Sequence, residues 1–196
     1  MDKKKDTKDR IVVISGPSGV GKSTICKEVV RRKSNLWLSV SVTTREKSEL
    51  EMDGEDYWFI SRQEFEKRIA ADLLLEYAEV FGNLYGTPQD KVDEMLAEGK
   101  KVILEIDVQG ARQAKAKYPD AMMIFILPPT QKELAERLNG RGREDIESAE
   151  ERLDGAGTEI AAAWQYYHHM VINDKLEQAV NEVIRIIEGN ETDEPL

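Results

Sequence analysis

The stretch Gly16-Pro17-Ser18-Gly19-Val20-Gly21-Lys22-Ser23, followed by Thr24, can hold a chain of phosphates. It fits G-x-x-x-x-G-K-[ST], and each fixed position has a physical task. Glycines at 16, 19 and 21 let the backbone turn sharply and come close to a ligand, because they have no Cβ. Successive N–H groups then point inward as an anion nest. A helix opening near Lys22 adds its positive end. The Lys22 ammonium reaches the outer phosphates, and the Ser23 hydroxyl is placed to ligate Mg²⁺. The context supports this reading. A β-branched run, Ile11-Val12-Val13-Ile14, precedes the loop, and a helical pattern follows it.

Two further stretches carry groups suited to phosphate chemistry. Asp107 ends the apolar run Lys101-Val102-Ile103-Leu104-Glu105-Ile106, at the end of a strand where ligands bind in open α/β sheets. Asn139 to Glu144 reads NGRGRE, a segment with too little apolar surface to pack and with arginines suited to closing over charge. Other chemistries are poorly served. One cysteine, Cys26, allows no intrachain disulfide, and with only the adjacent pair His168-His169 it offers no Cys/His metal site. The formal net charge of −10 argues against a general nucleic-acid binder. No apolar run approaches the length of a membrane span. The polar N-terminus MDKKKDTKDR reads as neither signal peptide nor anchor, and the expected setting is the cytoplasm.

The elements that must position these groups follow from periodicity. At 196 residues, 40% of them apolar, the chain is long enough for one domain with a real core. Strands are expected at about 11–15, in the alternating stretch Leu36 to Arg45, at Tyr57–Ile60, 101–107, 122–127 and 170–173. Helices are expected at 22–33, from a capping box Ser61-x-x-Glu64 to Ala70, at 88–98, 109–117, after Thr130-x-x-Glu133, at 147–167, and from Asp174-x-x-Glu177 to Glu188. Gly82 to Pro88 reads as a turn-rich loop, with Thr87 as helix cap and Pro88 in the first helical position. The alternation predicts an α/β fold, a mainly parallel sheet with helices on both faces. Residues 39–90 break it with short strands and read as an insertion beside the phosphate loop.

Eight segments in this order carry a resemblance: IVVISGPSGVGKST (11–24), SVSVTTR (39–45), DGEDYWF (53–59), LLEYAEVFGNLYGTP (74–88), VILEIDVQGARQ (102–113), FILPP (125–129), RLNGRGRE (137–144) and VIND (171–174). Together they resemble the guanylate kinases, over roughly residues 10–188. The phosphate loop alone is generic, whereas SVSVTTR, FGNLYGT and DVQGA are far more specific.

The resemblance implies a P-loop three-layer α/β/α fold with a β-rich GMP-binding insertion (39–90), a mobile lid (136–153), and a core of 10–38, 91–135 and 154–188, between tails 1–9 and 189–196. It implies transfer of the ATP γ-phosphoryl to GMP with Mg²⁺, and no obligatory protein partner. It places Gly16, Pro17, Ser18, Gly19, Val20, Gly21, Lys22, Ser23, Thr24 and Asn173 at ATP, with Asn173 near the adenine. Ser41, Glu76, Thr87 and Glu105 would line the guanine pocket, and Arg45, Tyr57 and Tyr85 would hold the GMP phosphate. Asp107 would order Mg²⁺ or its water, beside GMP, and Ser23 would ligate the metal. Arg137, Arg141 and Arg152 match lid arginines that act with Lys22 in catalysis. Scaffold modules that resemble these kinases and bind phosphopeptides typically lack the intact loop and lid arginines that this chain keeps.

This sequence departs from the family in two places. Glu105 stands where the family commonly has Asp. Ser48 stands where it usually has a second phosphate-binding arginine, in a stretch that also carries Glu46, Glu49 and Glu51. A charge-assisted contact is worth about 1.5–3 kcal/mol, or about ten- to a hundredfold in affinity. Ser48→Arg is therefore expected to tighten GMP binding within that range in titration calorimetry. An unchanged affinity would refute it.

Overall fold

The computed structural model describes residues 10–139, 157, 160, 161, 163 and 165–189. The elements in chain order are β1 (Ile11–Ser15), α1 (Lys22–Arg32), β2 (Leu36–Leu38), β3 (Val42–Thr43), β4 (Trp58–Phe59), α2 (Arg62–Ala70), β5 (Leu74–Val80) and β6 (Asn83–Pro88). Next come α3 (Gln89–Ala97), β7 (Lys101–Glu105), α4 (Val108–Lys117), β8 (Met122–Leu127), α5 (Gln131–Asn139), β9 (His169–Ile172) and α6 (Leu176–Glu188). The central sheet runs β2-β7-β1-β8-β9, with every neighbouring pair parallel. A smaller sheet, β4-β3-β6-β5, is mostly antiparallel and lies wholly between residues 42 and 88.

Strands buried on both faces need a layer on each side, and the β-branched runs supply both surfaces. Val12, Ile14, Ile103, Ile124 and Ile126 pack against Ile25, Cys26 and Val29 of α1 and Val180, Val183 and Ile187 of α6. The alternate residues Val13, Val102, Leu104, Met123 and Phe125 meet Val92 and Leu96 of α3 and Ala111 and Ala114 of α4. Phe65 of α2 is fully buried against Val42, Leu74 and Leu84 and anchors the small sheet. The parallel strands point their C-terminal ends one way, so the β1–α1 loop and the β7–α4 turn emerge side by side.

Several local expectations hold. Ser61 Oγ accepts from the Glu64 amide at 3.2 Å, and Thr130 Oγ1 from the Glu133 amide at 3.1 Å. Others are corrected. The stretch expected as one strand from Leu36 divides: Ser39 N donates to Ile103 O at 2.9 Å, and the chain then leaves the central sheet for β3. Helix α4 starts at Val108, capped by Asp107, whose Oδ1 accepts from the Gly110 amide at 2.8 Å. Helix α6 starts at Leu176 without a side-chain cap, so the Asp174-x-x-Glu177 box does not form.

The Gly82–Pro88 segment is not a loop. Its residues 83–88 form β6, paired antiparallel with β5 from Val80↔Asn83 to Leu74↔Pro88. Cross-strand pairing overrides the poor intrinsic preference of Gly86 and Pro88 for strands. Helix α3 starts at Gln89, with Pro88 at the cap position, and Thr87 is free for another role. Residues 140–153 of the expected lid lie outside the described residues.

The β5–β6 hairpin turns on two residues, Phe81 and Gly82, both at positive φ (48° and 75°). That backbone suits the two-residue hairpin turn, but an aromatic side chain is an unfavourable occupant of its first position. Phe81→Asn is expected to raise unfolding stability by about 0.5–1 kcal/mol. Urea denaturation checks this, and an unchanged midpoint would show that contacts of Phe81 offset the strain.

Candidate active site

The phosphate loop closes on the N-terminus of α1. Gly21 is the cap residue at φ 99°, ψ 19°; no side chain caps the helix, and no acidic residue sits in its first turn. The start of α1 thus has the form of an anion-binding helix N-terminus. Gly16 must lack a side chain for space as well as for φ: a Cβ there would lie 2.4 Å from Ile126 O. The Lys22 ammonium folds back over the loop, donating to Gly16 O at 2.5 Å and Pro17 O at 3.0 Å. A cavity of about 480 Å³ adjoins it, lined by Gly19, Gly21, Thr24, Arg137, Asn173, Asp174 and Leu176.

The two carboxylates beyond β7 face different partners. Glu105 Oε1 accepts from Ser23 Oγ at 2.5 Å, so this carboxylate belongs to the phosphate loop. Asp107 instead stands beside Glu76. Both approach Gly110 on α4, where a Cβ would lie 2.1 Å from Glu76 Oε2 and 3.4 Å from Asp107 Oδ1. The expected placing set Glu105 with Glu76, and Asp107 at the metal beside GMP; the side-chain contacts pair Glu105 with Ser23 and bring Asp107 beside Glu76. The cause is the turn at Ile106: the strand ends at Glu105, and Asp107 already caps α4.

Glu76 is a buried carboxylate of the site. It is 3% exposed and accepts from Thr87 Oγ1 at 2.6 Å. Burial raises its pKa to about 7; the Thr87 bond opposes that rise, and the Asp107 charge adds to it. Ser41 joins this corner through the backbone. Its carbonyl accepts from Trp58 N at 2.9 Å, and the Val42↔Gly86 register continued by one residue sets Ser41 opposite Thr87.

Arg45, Tyr57 and Tyr85 also come together. The Arg45 guanidinium lies 5.5 Å from the Tyr57 ring centre and 5.7 Å from that of Phe59. Tyr57 and Tyr85 meet edge to face at 5.8 Å. Burial and the nearby Glu105 charge push the Tyr57 phenol well above its ordinary pKa, which keeps it a hydrogen-bond donor. Arg45 has a resident partner that the sequence reading missed. Glu51 bridges its Nη2 and Nη1 at 2.6 and 3.1 Å and accepts from the Ser48 amide at 2.9 Å. Burial alone would raise the Glu51 pKa, but bonds from Arg45 and Ser48 outweigh it and hold the value at about 2.

Arg137 lines the cavity; its Nη2 donates to Asn173 O at 3.0 Å, and it pairs with Glu133 at 3.5 Å. Arg141 and Arg152 lie outside the described residues. Among the described residues no group of three or more His, Cys, Asp or Glu could hold a metal by itself. Gly110 also escaped the sequence reading, although a glycine inside a helix is a signal of close approach by another group.

A parallel α/β sheet with an uncapped, glycine-turned helix start and a buried acid beside an arginine-and-tyrosine cluster is the architecture of a phosphotransferase. Residues 8–190 match the family model for guanylate kinase. The chain is 51% identical to a guanylate kinase of Carboxydothermus hydrogenoformans over 92% of its length and 88% of that protein's. It is 52% identical to one of Gloeobacter violaceus, over 95% of its length and 90% of that protein's. The crystal structure of guanylate kinase from Anaplasma phagocytophilum superposes with a TM-score of 0.77 at 32% identity, covering 93% of this chain and 86% of that one. The chain belongs to the guanylate kinase family.

The Glu76 shift has a consequence for stability. Its folded pKa lies above the ordinary 4.5, so the fold prefers the protonated acid. That preference is fully satisfied below about pH 4.5 and is lost as pH rises through 7, at a cost of about 3 kcal/mol. Glu76→Gln keeps the shape without the charge. It is expected to be more stable than the parent at pH 8, with the advantage shrinking towards pH 5, in urea unfolding at both pH values. An advantage independent of pH would refute the cause.

Proposed function

We propose a division of labour by which these residues move the γ-phosphoryl of ATP to GMP, giving ADP and GDP. The observation that carries it is the buried Glu76–Thr87 pair beside Asp107. Guanine presents N1–H and N2–H₂ donors beside the O6 acceptor, and two adjacent carboxylates complement the donors. Adenine would turn a ring acceptor towards them and leave buried polar groups unpaired, which is costly. The single Thr87 proton is given to Glu76, so Thr87 orients the acid and the Ser41 hydroxyl is left for O6. Asp107 takes the guanine role expected of Glu105.

The GMP phosphate falls to Arg45, Tyr57 and Tyr85. Glu51 fixes the guanidinium but cancels its charge, so the pocket relies on hydrogen-bond geometry more than on net charge. On the donor side, the α1 N-terminus and Lys22 hold the ATP phosphates, with Lys22 exchanging loop carbonyls for phosphate oxygens. Ser23 and Glu105 are oxygen donors of the kind a hard cation takes, and they would hold Mg²⁺ together with the phosphates. Bound there, the ion neutralises charge between the outer phosphates. Arg137, with Arg141 and Arg152, supplies positive charge to the transferring group. Transfer of this kind needs positioning and charge neutralisation, and no general base is assigned. A cytoplasmic setting belongs to the same proposal.

Guanine favours the ionised form of Glu76, so GMP binding must weaken as that acid takes up a proton. The expected result is ADP formation with GMP and not with AMP, UMP, CMP or ribose 1,5-bisphosphate. The kcat/KM for GMP should fall as pH drops below about 7, with the KM for ATP flat, and Glu76→Gln should lose roughly a hundredfold in kcat/KM for GMP. A GMP profile flat from pH 6 to 8 would remove Glu76 from the base pocket.

A further inference from the structure

Asn173 follows β9 at the edge of the central sheet, where its amide donates to Leu127 O at 2.8 Å. Its side chain is buried and already committed: Nδ2 donates to Val20 O at 2.8 Å. A Cβ on Gly21 would sit 2.6 Å from that nitrogen, so the amide rests directly on the Val20–Gly21 peptide. In a trans peptide the carbonyl and the next N–H point in opposite directions. Holding Val20 O on the Asn173 amide therefore aims the Gly21 N–H the opposite way, as a donor for phosphate oxygens. The Asn173 carbonyl accepts from Arg137 Nη2 at 3.0 Å. One residue thus ties the phosphate loop to an arginine of the donor cavity and to the rigid sheet.

We infer that Asn173 is a positioning residue for the phosphate loop, acting on the phosphates of any donor whatever its base, rather than a reader of the adenine ring. The inference rests on assigning this loop to the donor phosphates. It predicts that loss of the amide donor leaves base preference intact and weakens phosphate binding itself. A buried carbonyl without its partner, next to an anion site, would also draw water or change the peptide orientation.

The test uses tripolyphosphate, which has no base, with Mg²⁺. Binding is measured for the parent, Asn173→Ala and Asn173→Asp; the aspartate keeps the shape but cannot donate, which guards against a packing defect. The expected result is about tenfold weaker tripolyphosphate binding in Asn173→Ala, with a larger loss in Asn173→Asp. ATP and GTP as donors should weaken by the same factor, with the KM for GMP within about twofold of the parent. Weaker ATP use with unchanged tripolyphosphate binding would mean an adenine contact and overturn the inference. Equal losses for ATP, tripolyphosphate and GMP would mark a merely structural role and overturn it too. If tripolyphosphate failed to bind the parent, the assignment of the loop itself would fall, a distinct result.

Discussion

The first turn of α1 offers backbone N–H groups that no side chain caps, and much of the molecule is arranged to keep them open. An uncapped helix start is a local cost, since unpaired donors seek partners. Here Gly21 sets the left-handed turn, Asn173 pins the preceding carbonyl, and Lys22 lies across the loop on Gly16 and Pro17 carbonyls. The apolar layers beneath, from Ile14 and Val12 to Ile25 and Val29, make the helix too well seated to rotate away. The loop's shape therefore exists before the phosphates arrive, and binding spends little on ordering it.

The acceptor corner uses the opposite device. Glu76 is a carboxylate buried where it is least comfortable, with Asp107 near it and only Thr87 donating to it among the described residues. Gly110 has no Cβ because the Glu76 carboxylate takes that volume. The cost of the buried charge falls on the fold. On the proposed reading, a base with N–H donors would offset it by supplying the missing hydrogen bonds, and a base of the wrong pattern would leave the carboxylates unpaired.

The sequence made some of this legible and not the rest, for physical reasons. The phosphate loop, the buried parallel strands and the Ser61 and Thr130 caps are local patterns that the fold keeps, whereas the equally local Asp174 box and Thr87 cap do not form. The β6 strand was hidden because Gly82, Gly86 and Pro88 each argue for a turn, while its pairing with β5 is a property of two segments together. Glu51 was read as added negative charge; only the fold of the 45–51 turn shows it seated on Arg45. Glu105 and Asp107 are both legible as carboxylates near the loop, but the partner each one meets, Ser23 for Glu105 and Glu76 for Asp107, is set by the turn at Ile106. Arg141 and Arg152 lie outside the described residues and are legible through the family pattern alone.

On the proposed reading, that turn keeps the two substrates in register. Glu105 and Asp107 are two residues apart, a separation of about 7 Å or less along the chain. One touches Ser23 on the donor side, and the other stands with Glu76 on the acceptor side. β7 is hydrogen-bonded on both edges, to β1 and β2, which fixes Glu105 at its end, and Asp107 is held by its cap bond from the Gly110 amide. A surface ion pair, Lys27 to Asp56 at 2.5 Å, ties α1 to the turn that leads into Tyr57. Such exposed pairs contribute little to stability, so the alignment rests chiefly on β7. Phosphoryl transfer depends on distance more than on acid–base chemistry, and a shift of about 1 Å can cost about a hundredfold in rate. On the proposed reading, a strand end and a helix cap joined through Ile106 meet that demand better than two independent loops would.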